Sequence, residues 1–191
     1  MHCHPLWFAE ILLHDEFTTD QGIDPPPRLY VPPTKTYPWH TMVLRDIFTR
    51  EADKSINPNR LLELQLFAPQ EVRKENRMIM SDSTPQFHVT LTENDKRIVK
   101  RMYEDLLVIA KKLGHFIEKG EPAQTPFGFT HPIGICRMGK DPRTSVADTQ
   151  SRVHGFENLY LATVGLIPIT IAVNPTLTAA ALAVDAMEKL A

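Results

Sequence analysis

The chain has 191 residues, 42% apolar and 23% charged, with a formal net charge of −2. That length fits one ordinary globular domain, or at most two small ones, and the missing basic excess excludes a nucleic-acid partner held through phosphate contacts. Against 16 prolines stand only 8 glycines, no two of them at Gly-x-Gly spacing. A G-x-G-x-x-G dinucleotide loop and a G-x-x-x-x-G-K-[ST] phosphate loop are therefore excluded from this sequence. Any nucleotide cofactor would need its phosphate-cradling loop from outside it.

Two cysteines, Cys3 and Cys136, make no disulfide framework and point to a reducing compartment, so a cytoplasmic location is expected. The start, Met1-His2-Cys3-His4-Pro5, lacks the basic head and apolar run of a secretory signal. The most apolar stretch, residues 160–173, is shorter than the ~20 residues of a spanning helix and is interrupted by Pro168, so no membrane association is expected. His2, Cys3 and His4 offer imidazole and thiolate ligands. Three such groups at a chain terminus read as incidental, and no metal site is expected.

In chain order, residues 6–17 place apolar side chains at helical spacing and read as a helix. Residues 24–38 hold six prolines and read as an extended connector. Residues 41–48, 60–67, 77–81 and 86–91 read as strands, with Asn57-Pro58-Asn59 and Lys74-Glu75-Asn76 as turns, which implies an antiparallel sheet. Trp39 and His40 anchor the entrance to the first of these strands. A helix begins at Thr92-Glu93-Asn94-Asp95 and ends near Gly114, with Ile98, Met102, Leu106, Ile109 and Leu113 as its apolar stripe. Residues 120–151 are loop-rich, residues 159–162 read as a short strand, and a small-residue helix begins near Pro175. The fold class expected is α+β: an antiparallel sheet with helices on one face, followed by a C-terminal strand and helix.

Three separated motifs carry the chemistry. The first is Thr130-His131-Pro132-Ile133-Gly134-Ile135-Cys136-Arg137-Met138-Gly139. The second runs from Arg152 through His154-Gly155 to Leu161, and the third is Asn174-Pro175-Thr176-Leu177-Thr178. In this order and spacing they resemble the C-terminal signature of the glucose–methanol–choline (GMC) oxidoreductases, flavoenzymes that oxidise alcohols. Tyr37-Pro38-Trp39-His40, Arg45-Asp46, Lys74-Glu75-Asn76 and Pro85-Gln86-Phe87 look like the pyranose-oxidase branch, which includes oxidases of glycosides.

The resemblance implies three segments: 1–31 as N-terminal helix and connector, 32–129 as substrate-binding sheet and helix, and 130–191 as the catalytic and flavin-contacting end. It implies FAD as cofactor, a sugar or glycoside as substrate, and an oligomeric assembly. It also implies that the FAD-binding part is a separate subunit or a missing N-terminal half, whose structure the C-terminal strand and helix complete. Carried over residue by residue, His131 matches the base and Asn174 its active-site partner. Ala162, Thr163, Gly165, Pro175 and Thr176 match flavin-contacting positions.

The residue types suit these roles. An imidazole titrating near 6.5 can take a hydroxyl proton at neutral pH, an amide can bond the substrate oxygen without titrating, and the hydride acceptor must be a cofactor. A strand over 41–48 puts Met42, Leu44 and Asp46 on one face, where the resemblance implies Gln, His and Asp as substrate-binding residues. Two of these positions are apolar here, which suits a glycoside with an aromatic or aliphatic aglycone better than a free sugar. Ile135 stands where the family usually has Thr. Arg137 is expected to be structural, paired with a carboxylate such as Asp148, and His154 to lie at the surface or behind the site. The alternative is a shortened or degenerate, non-catalytic homologue acting at most as a binding module.

Overall fold

The computed structural model describes residues 1–16, 28–45, 56–117, 123–125 and 131–190. The chain forms two compact units. One comprises Pro5–Ala68 with Glu93–Phe127, and the other comprises Met1–His4, Pro69–Thr92 and Gly128–Ala191.

The first unit is an antiparallel sheet. Its strands are β1 (Leu6–Leu13), β2 (Leu29–Val31), β3 (His40–Leu44), β4 (Leu61–Phe67), β7 (Gly114–Phe116) and β8 (Ala123–Thr125). The order is β2-β3-β4-β1-β7, with β8 also paired to β1. The expected helix over residues 6–17 is thus a central strand. Leu-Trp-Phe-Ala-Glu-Ile-Leu-Leu is nearly continuously apolar, and such a run fits a buried strand as well as a buried helix. Here β4 on one side and β7 and β8 on the other take up its backbone groups, and that pairing overrides the helical spacing.

Helix α1 (Glu93–Leu113) starts and ends where the capping residues place it. It covers the sheet face that carries Ala9, Ile11, Leu13, Leu62, Leu64 and Leu66, joined in one core with Val99, Met102, Leu106 and Ala110. The buried line on the helix is Asp95, Val99, Met102, Leu106 and Ala110. This corrects the expected stripe: Met102 and Leu106 belong to it, whereas Ile109 and Leu113 stand on the exposed flank. Spacings of 3 and 4 residues define neighbouring lines equally well, and only the sheet decides which one is buried. At the helix end, a Cβ on Gly114 would lie 1.9 Å from the Leu12 carbonyl oxygen, so the step from helix directly into β7 requires glycine. Trp39 is buried in the same core, and the Arg101 guanidinium sits 5.5 Å from its ring centre.

The opposite sheet face carries Leu6, Met42, Leu44 and Phe67 as a second apolar cluster, with Phe8 against it. Registers Met42↔Gln65 and Leu44↔Glu63 place an amide and a carboxylate beside the two apolar residues of β3 on this face.

The second unit holds the hairpin β5 (Arg77–Ser81) and β6 (Thr84–His88) and helix α2 (Thr176–Glu188). Asp82 and Ser83 both have positive φ, the signature of a two-residue type I′ turn. That turn starts β6 two residues before the expected strand over 86–91. The expected strand over 159–162 is absent. Tyr160 makes only an isolated bridge to Arg152, because Ser151 turns through positive φ and no neighbouring backbone extends the pairing. No helix among the described residues is long and apolar enough to cross a membrane.

Candidate active site

The chain start is an ordered rung of the second unit. His2 and Ile133 exchange two backbone hydrogen bonds of 2.9 Å as an antiparallel bridge. Two residues onward from His2 and two back from Ile133 lie His4 and His131, so the same register sets these two side chains opposite each other. Their rings meet there, with His4 Nε2 2.8 Å from His131 Nδ1 and a tilt of 55° between the planes.

The rung is held from several sides. The His2 Nε2–H donates to the Ile169 carbonyl at 2.9 Å, and the Cys3 N–H donates to Gln70 Oε1 at 2.7 Å. Asn76, fully buried, holds Thr90 by accepting its N–H and donating to its carbonyl. His2, Cys3 and His4 thus sit on an ordered segment with a packing role that their reading as possible metal ligands did not address. All three are buried, and two of them contact the motifs around His131 and Ile169. Nothing in the linear sequence pairs position 4 with position 131; the only sequence-level hint was their crowding in four residues.

His131 is half-buried, and burial pulls its pKa below the ordinary histidine value. Its one hydrogen bond among the described residues goes to His4, not to Asn174, so its Nε2 is left without a partner there. Asn174 is exposed and immediately precedes Pro175, the N-cap of α2. Proline has no side-chain oxygen to cap the first turn.

Of the other residues assigned to the flavin, Ala162 and Thr176 are exposed, Thr163 is half-buried, and Gly165 and Pro175 are buried. Thr163 caps the short 3₁₀ turn Val164–Leu166, its Oγ1 accepting the Gly165 N–H at 3.2 Å. A Cβ on Gly165 would come within 2.8 Å of Cys136 Sγ. Gly165→Ala is expected to destabilise the second unit by about 1–3 kcal/mol through overpacking, read as a lower urea midpoint. Cys136→Gly, by removing the opposing sulfur, should recover part of that loss.

Arg137 does not pair with Asp148 as expected. Its Nε donates to the Thr144 carbonyl at 2.6 Å, and Asp148 pairs with Arg152 at 3.3 Å. The tight loop following Arg137 brings a carbonyl to the guanidinium first. His154 hydrogen-bonds Ser145 at 2.9 Å and lies half-buried. Met42 and Leu44 share one sheet face as the strand period requires, and both are buried. Asp46 lies outside the described residues. Glu63 and Gln65, hydrogen-bonded to each other on that face, were missed because β4 read simply as an apolar strand.

Burial also lowers the pKa of His2 and His40. For His2, His40 and His131 the unfolded chain binds protons near pH 6.5 while the folded chain resists them. Stability is therefore full above that value and is lost as pH falls through it toward the lower folded values. Urea midpoints measured at about pH 7.5 and 5.5 should fall toward the acid side.

A family model described as GMC oxidoreductase matches residues 72–183, more than half of the chain. The chain belongs to the GMC oxidoreductase family. Pyranose 2-oxidase of Tricholoma matsutake is 32% identical to it over 207 residues, an alignment covering 96% of this chain and 36% of that protein. C-glycoside 3-oxidase of Arthrobacter globiformis is 29% identical over 174 residues, covering 85% of this chain and 34% of that protein. The crystal structure of pyridoxine 4-oxidase from Mesorbium loti shares the fold with a TM-score of 0.56 at 16% identity, covering 96% of this chain and 41% of that one. This GMC chain thus spans about a third of the length of the curated relatives it matches. All three motifs singled out in the sequence fall wholly within the matched span.

Proposed function

We propose that this chain carries the base and substrate-contacting part of an FAD-dependent oxidoreductase that acts on a CH–OH group of a sugar or glycoside. The observation that carries the reading is His131, in the matched GMC segment, held through Nδ1 by buried His4, with no partner for Nε2 among the described residues. The named relatives, a pyranose 2-oxidase and a C-glycoside 3-oxidase, set the substrate class proposed. The FAD-binding part is a separate subunit or an N-terminal half.

The residues present suit the cofactor. The first turn of α2 has backbone donors without a side-chain cap, a place for an electron-rich oxygen. Ala162 and Thr176 are exposed beside Thr163 and Pro175, and Gly165 lets their segment close on Cys136. When bound, the flavin supplies the hydride acceptor that no side chain here provides. His131 Nε2 takes the hydroxyl proton, and the Asn174 amide bonds the substrate oxygen. Met42 and Leu44, with Asp46, are the proposed substrate-contacting positions, and the two apolar side chains favour a glycoside with an apolar aglycone.

Co-expression with a candidate FAD-binding part tests this reading. A yellow complex that oxidises a glycoside supports it. A colourless, well-folded mixture without turnover favours the non-catalytic binding module instead.

A further inference from the structure

We infer that His4 fixes the tautomer of His131, accepting a hydrogen bond from His131 Nδ1–H at its own Nε2 so that His131 Nε2 keeps a free lone pair. This rests on the reading of His131 as the proton acceptor and deepens it by naming the group that makes the ring basic at the correct nitrogen.

The two nitrogens are 2.8 Å apart, so one carries the hydrogen and the other the lone pair. If His4 Nε2 donated, a neutral His131 would have to carry its hydrogen on Nε2, where it could only donate. With His131 Nδ1–H donating, Nε2 is bare and takes a proton from a substrate hydroxyl. In that step the O–H bond breaks, an Nε2–H bond forms, and the electron pair stays on oxygen. The carbon's hydride would go to the oxidised flavin, the acceptor that the FAD-binding part would supply.

The same hydrogen bond survives the step, because the imidazolium still donates from Nδ1. In the reverse arrangement, two N–H groups would face each other at 2.8 Å once His131 became cationic. The charge also stays on His131, which is half-exposed, and not on His4, which is fully buried. His4 can hold the ring because the His2–Ile133 bridge, the Ile169 carbonyl and Gln70 fix the rung on which it sits. His4 is thus a positioning residue, comparable to the carboxylate that orients the histidine of a serine-protease triad.

The test uses the ¹⁵N-labelled full chain at about pH 8, above the ~6.5 of an ordinary histidine. Long-range ¹H–¹⁵N correlation spectra distinguish a protonated ring nitrogen from a bare one. The expected wild-type spectrum shows His131 protonated at Nδ1 and bare at Nε2. Protonation at Nε2 instead overturns the inference outright, whatever becomes of the variants. His4→Gln, which offers an amide oxygen as acceptor, should keep the Nδ1–H form, and His4→Phe should release the ring to the Nε2–H form. If His4→Phe folds and the Nδ1–H form persists, the inference is overturned. If it does not fold, the wild-type and His4→Gln spectra decide.

In the complex with an FAD-binding part, His4→Phe should lower kcat by about 10²-fold, at the lower end of what a general base contributes. His4→Gln should restore most of that loss. Failure of the base reading is separable: turnover surviving His131→Ala, beside an intact Nδ1–H signature in the wild type, removes the base and leaves the tautomer standing.

Discussion

Replacing His131 by alanine, in the chain assembled with an FAD-binding part, should slow glycoside oxidation by about 10²- to 10⁴-fold, the contribution of a positioned general base. The measurement is the rate of flavin reduction under anaerobic conditions at saturating substrate. The loss should fall in kcat with little change in KM, because proton removal belongs to the transition state and not to ground-state binding. Folding should be nearly intact, since the ring is half-exposed and its loss removes a single hydrogen bond to His4, a cost of about 1 kcal/mol. Burial lowers the His131 pKa below the ordinary histidine value, which favours the neutral ring, the form the proposed base needs, at neutral pH. The wild-type rate should therefore rise with pH through a value below ~6.5 and then level off. A variant with wild-type flavin reduction would remove His131 from the chemistry.

Leu106→Ala should be strongly destabilising to the first unit. Leu106 is fully buried between α1 and the sheet, and truncating such a leucine costs about 2–5 kcal/mol for lost transfer energy and the cavity left behind. That is a large part of the 5–15 kcal/mol a domain typically has. Ile109→Ala, three residues on but 36% exposed, should cost much less. Urea unfolding followed by helical circular dichroism gives both numbers. Equal losses at 106 and 109 would mean that the helix faces the sheet along the line its spacing suggested, not the one found.

These two positions also mark how far the sequence could be read. The periodicity of residues 92–114 establishes an amphipathic helix, and its capping residues establish its ends within a residue. Which of two adjacent apolar lines is buried depends on the sheet it meets, and that sheet is assembled from strands on both sides of the helix in sequence, its central strand β1 lying far upstream. Residues 6–13 show the same limit more sharply. Their unbroken apolar run satisfies both a helix and a strand, and only pairing with β4, β7 and β8 chooses the strand. The expected strand over 159–162 is reduced to a single bridge, because its pairing with residues 151–153 ends after the two bonds on either side of Tyr160.

Composition and motifs alone determined that this is an α+β chain lacking a nucleotide loop, that it carries the GMC segment, and that His131 and Asn174 are its chemical candidates. Those are properties of residue types and local spacing, which survive without coordinates. The tertiary structure alone decided that the first four residues are part of the site's framework. An antiparallel bridge between positions 2 and 133 makes neighbours of His4 and His131, and such a register is a product of chain folding across more than a hundred residues. It is also the contact on which the tautomer inferred for His131 rests.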